Sequence, residues 1–152
     1  MKTICLYVFL FLTTLIATGQ NVTPEYDSTL AAQLGADERG MKMYVLVILK
    51  TGPADIQDKA LRDSLFAGHF SNMNRMTKED KLVVAGPLGA NDLQYRGIFI
   101  LNVKTAEEAE VLLQTDPTVS AGIFDTEIFP LYGSAALPLY LEAARKIIKR
   151  NP

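Results

Sequence analysis

The stretch Met43-Tyr44-Val45-Leu46-Val47-Ile48-Leu49-Lys50 decides the fold. Read with a period of two, Tyr44, Leu46 and Ile48 fall on one side and Val45, Val47 and Leu49 on the other, so both faces are apolar. Such a strand needs cover on both faces. Thr51-Gly52-Pro53 stops it. Further along, Gly97 to Val103 repeats the two-sided pattern, Leu82 to Gly86 is a shorter strand stopped by Pro87, and Gly122 to Phe129 is a fourth. Residues 56–77 carry Leu61, Leu65, Phe66, Met73 and Met76 at three- and four-residue spacings, which predicts a helix. A second helix is expected from Thr105 to Thr115, where Thr105 and Glu108 match a capping box. The order βαββαβ is that of an α+β ferredoxin-like sandwich. Both helices then lie on one sheet face, and the other apolar face needs its own cover. A second copy packed sheet to sheet, as a two-fold homodimer, is the simplest cover. A C-terminal helix folded back over the sheet is the alternative.

Outside the strand-bearing segment, expected at 43–131, the pattern changes. Residues 20–42 read as a polar N-terminal extension with a short helix between Glu25 and Leu34, stopped by Gly35. Residues 132–152 read as a tail and a final helix over about 139–150, with Pro138 suited to its first turn. Residues 1–19 have the build of a secretory signal: Lys2, an apolar run from Ile4 to Ile16, then the small residues of Ala17-Thr18-Gly19. Cleavage is expected between Gly19 and Gln20, giving an exported, periplasmic or secreted protein with no membrane attachment. A membrane anchor is the rival reading, although a spanning helix needs roughly 20 apolar residues. The only cysteine, Cys5, would leave with the signal, so no disulfide or thiol chemistry is expected. Asn21-Val22-Thr23 fits a glycosylation sequon, a triplet that chance often supplies.

The net charge of −2 gives no reason to expect a nucleic-acid partner. Arg145, Lys146, Lys149 and Arg150 read as the cationic end of a helix, complementing its dipole. His69 is the only histidine, and imidazole is the side chain that moves protons near neutral pH. On a helical projection it falls among Leu65, Met73 and Met76, with Arg62 two turns earlier. One reading is a buried ring bonded to a carbonyl; the other is a general acid/base held by a carboxylate. An unpartnered inward ring would cost about 1–3 kcal/mol, so the fold must supply a partner. Asp116 is the candidate, but Asp before Pro117 also reads as an N-cap with proline at the first helical position. The two roles are compatible, because one carboxylate oxygen can cap while the other faces a cleft. Gly86-Pro87 reads as a turn whose small residues bring backbone close to that cleft. Arg96 reads either as a receptor for an anionic substrate or as a strand-edge charge. One histidine and no mature cysteine leave little for zinc or copper, and neither a nucleophile elbow nor a dinucleotide fingerprint occurs.

These residues form an ordered set: Tyr44-Val45-Leu46, Gly68-His69, Leu82-Val83-Val84-Ala85-Gly86-Pro87, Arg96-Gly97-Ile98-Phe99-Ile100-Leu101, and Thr115-Asp116-Pro117 followed by Ala121-Gly122. The set resembles the YciI-like (YCII-related) family of dimeric α/β-barrel proteins. The resemblance implies a ferredoxin-like fold, dimerisation through the sheet faces, and a histidine–aspartate pair carried by His69 and Asp116. It also implies a scaffold able to carry elimination chemistry, as in a related dehydrochlorinase. The chain departs from the common pattern in its signal, its polar lead-in and its C-terminal helix.

The expected function is a small exported enzyme, working without a cofactor or metal on a small polar or anionic molecule. His69 would move the proton and Asp116 would fix its tautomer. Arg96, Arg62, Gly86 and Pro87 would bind substrate, in lyase, isomerase or dehydrohalogenase chemistry. The alternative is a non-catalytic dimeric module that binds a small ligand in the same cleft.

Overall fold

Residues 25–149 are described by the computed structural model. The expectations for the signal at 1–19, its cleavage after Gly19, Cys5 and the Asn21 sequon lie outside the described residues. Within them, the lead-in forms α1 (Ser28–Leu34), capped by the Asp27 side chain and closed by Gly35 in the left-handed conformation. The sheet is built from β1 (Met41–Thr51), β2 (Leu82–Pro87), β3 (Tyr95–Leu101) and β4 (Phe124–Ser134). Strand order is β2-β3-β1-β4, with every neighbouring pair antiparallel. With α2 (Lys59–Lys78) between β1 and β2, and α3 (Ala106–Leu113) and α4 (Pro117–Ser120) between β3 and β4, the α+β chain follows the ferredoxin-like path.

Several boundaries differ from those read in the sequence, and backbone pairing explains most of them. β1 and β4 pair along their whole length, from Met41 against Ser134 to Thr51 against Phe124. β1 therefore runs past both expected limits, whereas β4 starts late, at Phe124 instead of Gly122, and continues past Phe129, so Tyr132-Gly133-Ser134 is strand rather than tail. Ala85 and Gly86 lie in β2, as expected of a strand from Leu82 to Gly86, and Pro87 continues that strand instead of stopping it, so Gly86-Pro87 is strand rather than turn; the three residues pair with Phe99, Ile98 and Gly97. Pro87 is tolerated there because β2 is an edge strand, where a missing N–H costs no ladder bond. β3 starts at Tyr95 because the Asn91 side chain bonds both the N–H and the carbonyl of that residue, at 3.1 and 2.8 Å. The last helix, α5 (Tyr140–Ile147), is shorter than expected and follows a 3₁₀ turn at Leu137–Leu139.

The core lies between the sheet and the helices. Val45, Val47 and Leu49 of β1 meet Phe99 and Leu101 of β3, Met76 of α2, and Ala109 and Leu113 of α3. A Phe or Leu fully removed from water in such a core contributes about 1.5–3 kcal/mol. The opposite sheet face carries the alternate positions: Leu46 pairs with Ile100 and Phe129, and Ile48 pairs with Ile98. Phe129 there is 45% exposed. One end of this open face is covered by the chain itself. Leu137 and Tyr44 both lie against Gly133, the Tyr44 hydroxyl donates to the Ser134 carbonyl at 2.9 Å, and the Tyr140 hydroxyl donates to the Val83 carbonyl at 2.6 Å. Tyr44 is thereby fully buried although it faces away from the core.

The inward stripe of α2 is not the apolar one the spacing suggests. His69, Asn72 and Met76 are its buried residues, while Leu61 is 49% exposed. Two of these three are polar because they face α4 and the loop before it, where Asp116 and Thr115 supply hydrogen bonds.

Candidate active site

Two short elements bring the pair together. Gly68 packs against Pro117 so closely that a Cβ at this glycine would stand 2.8 Å from the proline Cγ. The absent side chain therefore lets α2 approach the start of α4. Asp116 caps α4, its Oδ1 accepting from the Thr118 N–H at 2.9 Å and from the Thr118 hydroxyl at 2.6 Å. Its other oxygen, Oδ2, lies 2.6 Å from Nδ1 of His69. One carboxylate thus does both jobs, helix cap and histidine partner.

The electrostatics fix the protons. Asp116 is wholly buried, and His69 is 7% exposed. Burial pushes the Asp116 carboxyl up, but hydrogen bonds from His69 and Thr118 outweigh it and hold the group below its ordinary value. An ionised carboxylate only accepts, so Nδ1 carries the proton and Nε2 keeps its lone pair in the neutral ring. Nε2 has no hydrogen-bond partner among the described residues.

The ring borders a cavity of about 430 Å³. Its walls are mostly apolar. Phe99 lies nearly parallel to the imidazole at 6.0 Å between ring centres, and Phe70, Phe124 and Phe66 present angled rings at 5.4, 5.6 and 6.4 Å. The sequence projection places Leu65, Met73 and Met76 around His69. Met73 lines the cavity, but the aromatic box is drawn from three elements, which spacing within one helix does not show. Gly86, Pro87 and Arg96 also line the cavity, as strand residues. Arg62 does not. It lies in an adjoining groove that shares Arg96, Phe66 and Phe124 with the cavity. Arg96 donates through Nε to the Thr51 hydroxyl at 2.6 Å.

Behind the pair, Asn72 accepts from Arg75 at 2.7 Å and from the Thr115 hydroxyl at 3.0 Å, tying α2 to the residue before Asp116. Thr118 and Asn72 were not singled out in the sequence. Thr118, directly after the Asp116-Pro117 step, had the only legible signal, since a capping carboxylate bonds the position two residues on. Among the described residues no three His, Cys, Asp or Glu side chains gather to hold a metal ion.

A family model, that of the YCII-related domain, matches residues 43–132. Among solved structures the chain is similar to the 5-chloro-2-hydroxyhydroquinone dehydrochlorinase of Burkholderia phenoliruptrix AC1100, determined in complex with 2,5-dihydroxybenzoquinone. The two are 21% identical over 56% of this chain and 90% of that one, with a TM-score of 0.40. No curated protein matches the chain.

Proposed function

The chain belongs to the YCII-related domain family, and on that premise we propose that it is a small acid/base enzyme centred on His69. The observation that carries this reading is the 2.6 Å contact between Nδ1 of His69 and buried Asp116, with the opposite ring nitrogen unbonded at a cavity. Neutral Nε2 takes a proton from a bound molecule, and the ionised Asp116 stabilises the imidazolium that forms. Returning the proton to a different atom isomerises the molecule. Departure of a neighbouring leaving group with its electron pair gives elimination, the lyase or dehydrohalogenase course. Both courses need one proton carrier and no redox partner.

A non-catalytic binding module is the second reading, favoured by the sparse polar groups of a cavity walled largely by phenylalanine and methionine. Deuterium exchange at acidic carbons of candidate metabolites separates the two. An enzyme catalyses exchange that His69→Asn abolishes; a binder shifts the His69 NMR signals without any exchange.

The half-covered apolar face around Leu46, Ile98 and Phe129 supports a sheet-to-sheet homodimer. The apolar run at Ile4–Ile16 supports export, and mass spectrometry of secreted protein should find Gln20 as its first residue.

A further inference from the structure

The His69 cavity and the Arg62 groove are two chambers of one site. They meet at Phe66, Phe124 and Arg96, which line both. The inner chamber is walled by aromatic rings, and its proton carrier is the imidazole set among them. Flat apolar walls of this kind favour a planar ring, which meets phenylalanines edge to face or offset. The outer chamber, of about 400 Å³, has a different character. Two guanidinium groups line it, and neither Arg62 nor Arg96 forms an ion pair among the described residues. Its one acidic lining residue, Asp55, accepts a 2.6 Å hydrogen bond from Gln57 instead. Arg96 is held by Thr51 through Nε alone, which leaves its terminal nitrogens for a ligand.

We infer that the two-chambered site selects an aromatic carboxylate, its ring among Phe66, Phe70, Phe99 and Phe124 and its anionic group on Arg96 and Arg62. This rests on the acid/base reading, because it sets the ring against the nitrogen that moves the proton. The ring fills the apolar chamber, and a guanidinium meets a carboxylate with paired donors. Aliphatic acids lack the planar surface, and neutral aromatics lack the charge.

Calorimetry on the full tag-free chain with benzoate, benzamide and hexanoate tests the inference. In parallel, proton NMR follows the Nδ1 proton of His69. Benzoate should bind about tenfold or more tightly than either analogue, the difference expected of a charge-assisted contact. Arg96→Gln should remove about tenfold of that preference, and Arg62→Gln, at an exposed helical position, should remove a smaller part. Equal affinity for benzoate and benzamide, or no binding of any probe while the Nδ1 proton is still seen, would overturn the substrate class and leave the acid/base reading standing. Absence of that proton signal in the unaltered chain would overturn the acid/base reading, and the substrate class with it.

Discussion

At Asp116 a single carboxylate joins local and long-range structure. Oδ1 is occupied by Thr118 and Oδ2 by His69, so neither oxygen is free to rotate away. Asp116→Asn keeps a good N-cap but no longer demands the Nδ1–H tautomer. Proton-transfer activity is expected to fall by about a hundredfold or more, since a positioned acid/base is worth roughly that much. Thr118→Val removes a buried donor to the carboxylate and should cost about 1–2 kcal/mol in urea unfolding. The pH dependence follows from the lowered carboxyl of Asp116, whose ordinary value is 3.8. Folding binds it in its charged form, so its stabilisation is complete above that value and is lost as acidification passes through the lower folded one. Urea midpoints measured from about pH 5 downward should therefore drop more steeply for the unaltered protein than for Asp116→Asn. Parallel curves would show that the pair contributes nothing to acid stability. At this scale the sequence was legible in part. A lone histidine on a helix and an Asp-Pro step can be seen in the chain, and the dual use of one carboxylate was among the readings. The contact between residues 47 positions apart was expected from the family resemblance and not from spacing, which carries no distance across the fold.

Helix α2 and the turn of α4 meet through a glycine and a proline, close to the hydrogen bond between His69 and Asp116. Gly68→Ala would raise helix propensity by up to about 1 kcal/mol. It would also push a methyl group into Pro117, where crowding in a packed contact costs about 1–3 kcal/mol. Crowding should win. The variant is expected to unfold at lower urea and to lose or broaden the His69 Nδ1 proton signal. A more stable variant with an unchanged signal would show that α2 and α4 have room to spare. Elements as such were well legible: four strands and the helices α2 and α3 follow from periodicity and caps. Their ends were not, because β1 and β4 extend each other by pairing, and a ladder accepts Lys42 or Gly133 as readily as valine. The buried face of α2 also escaped the hydrophobic pattern. Its inward positions include His69, whose ring bonds Asp116, and Asn72, whose Oδ1 accepts from Thr115 while its buried Nδ2 has no partner among the described residues.

For the whole molecule, the uneven cover of the sheet carries the next expectation. The helices protect one face. The other is covered at the Tyr44 end by the chain that follows β4, while Phe129 stays 45% exposed. A dimer in solution is expected by light scattering, and Phe129→Lys should shift it towards monomer without altering the His69–Asp116 signal. An unaltered chain that is monomeric at micromolar concentration would refute the shared face. The sequence offered two covers for that face, a second copy and the C-terminal segment, and the structure shows the second in use at one end. By itself the sequence determined the order of strands and helices, because side-chain periodicity and capping are local properties of the chain. It also held the ordered motifs whose family resemblance names His69 and Asp116 as a pair, while the residues alone left a carbonyl-bonded ring and a simple N-cap open. Only the tertiary structure decided the cavity's aromatic walls, the close approach at Gly68, and the separation of Arg62 from the imidazole chamber. Those depend on which surfaces of distant segments come within a few ångströms, and that is fixed by packing the sheet and helices together.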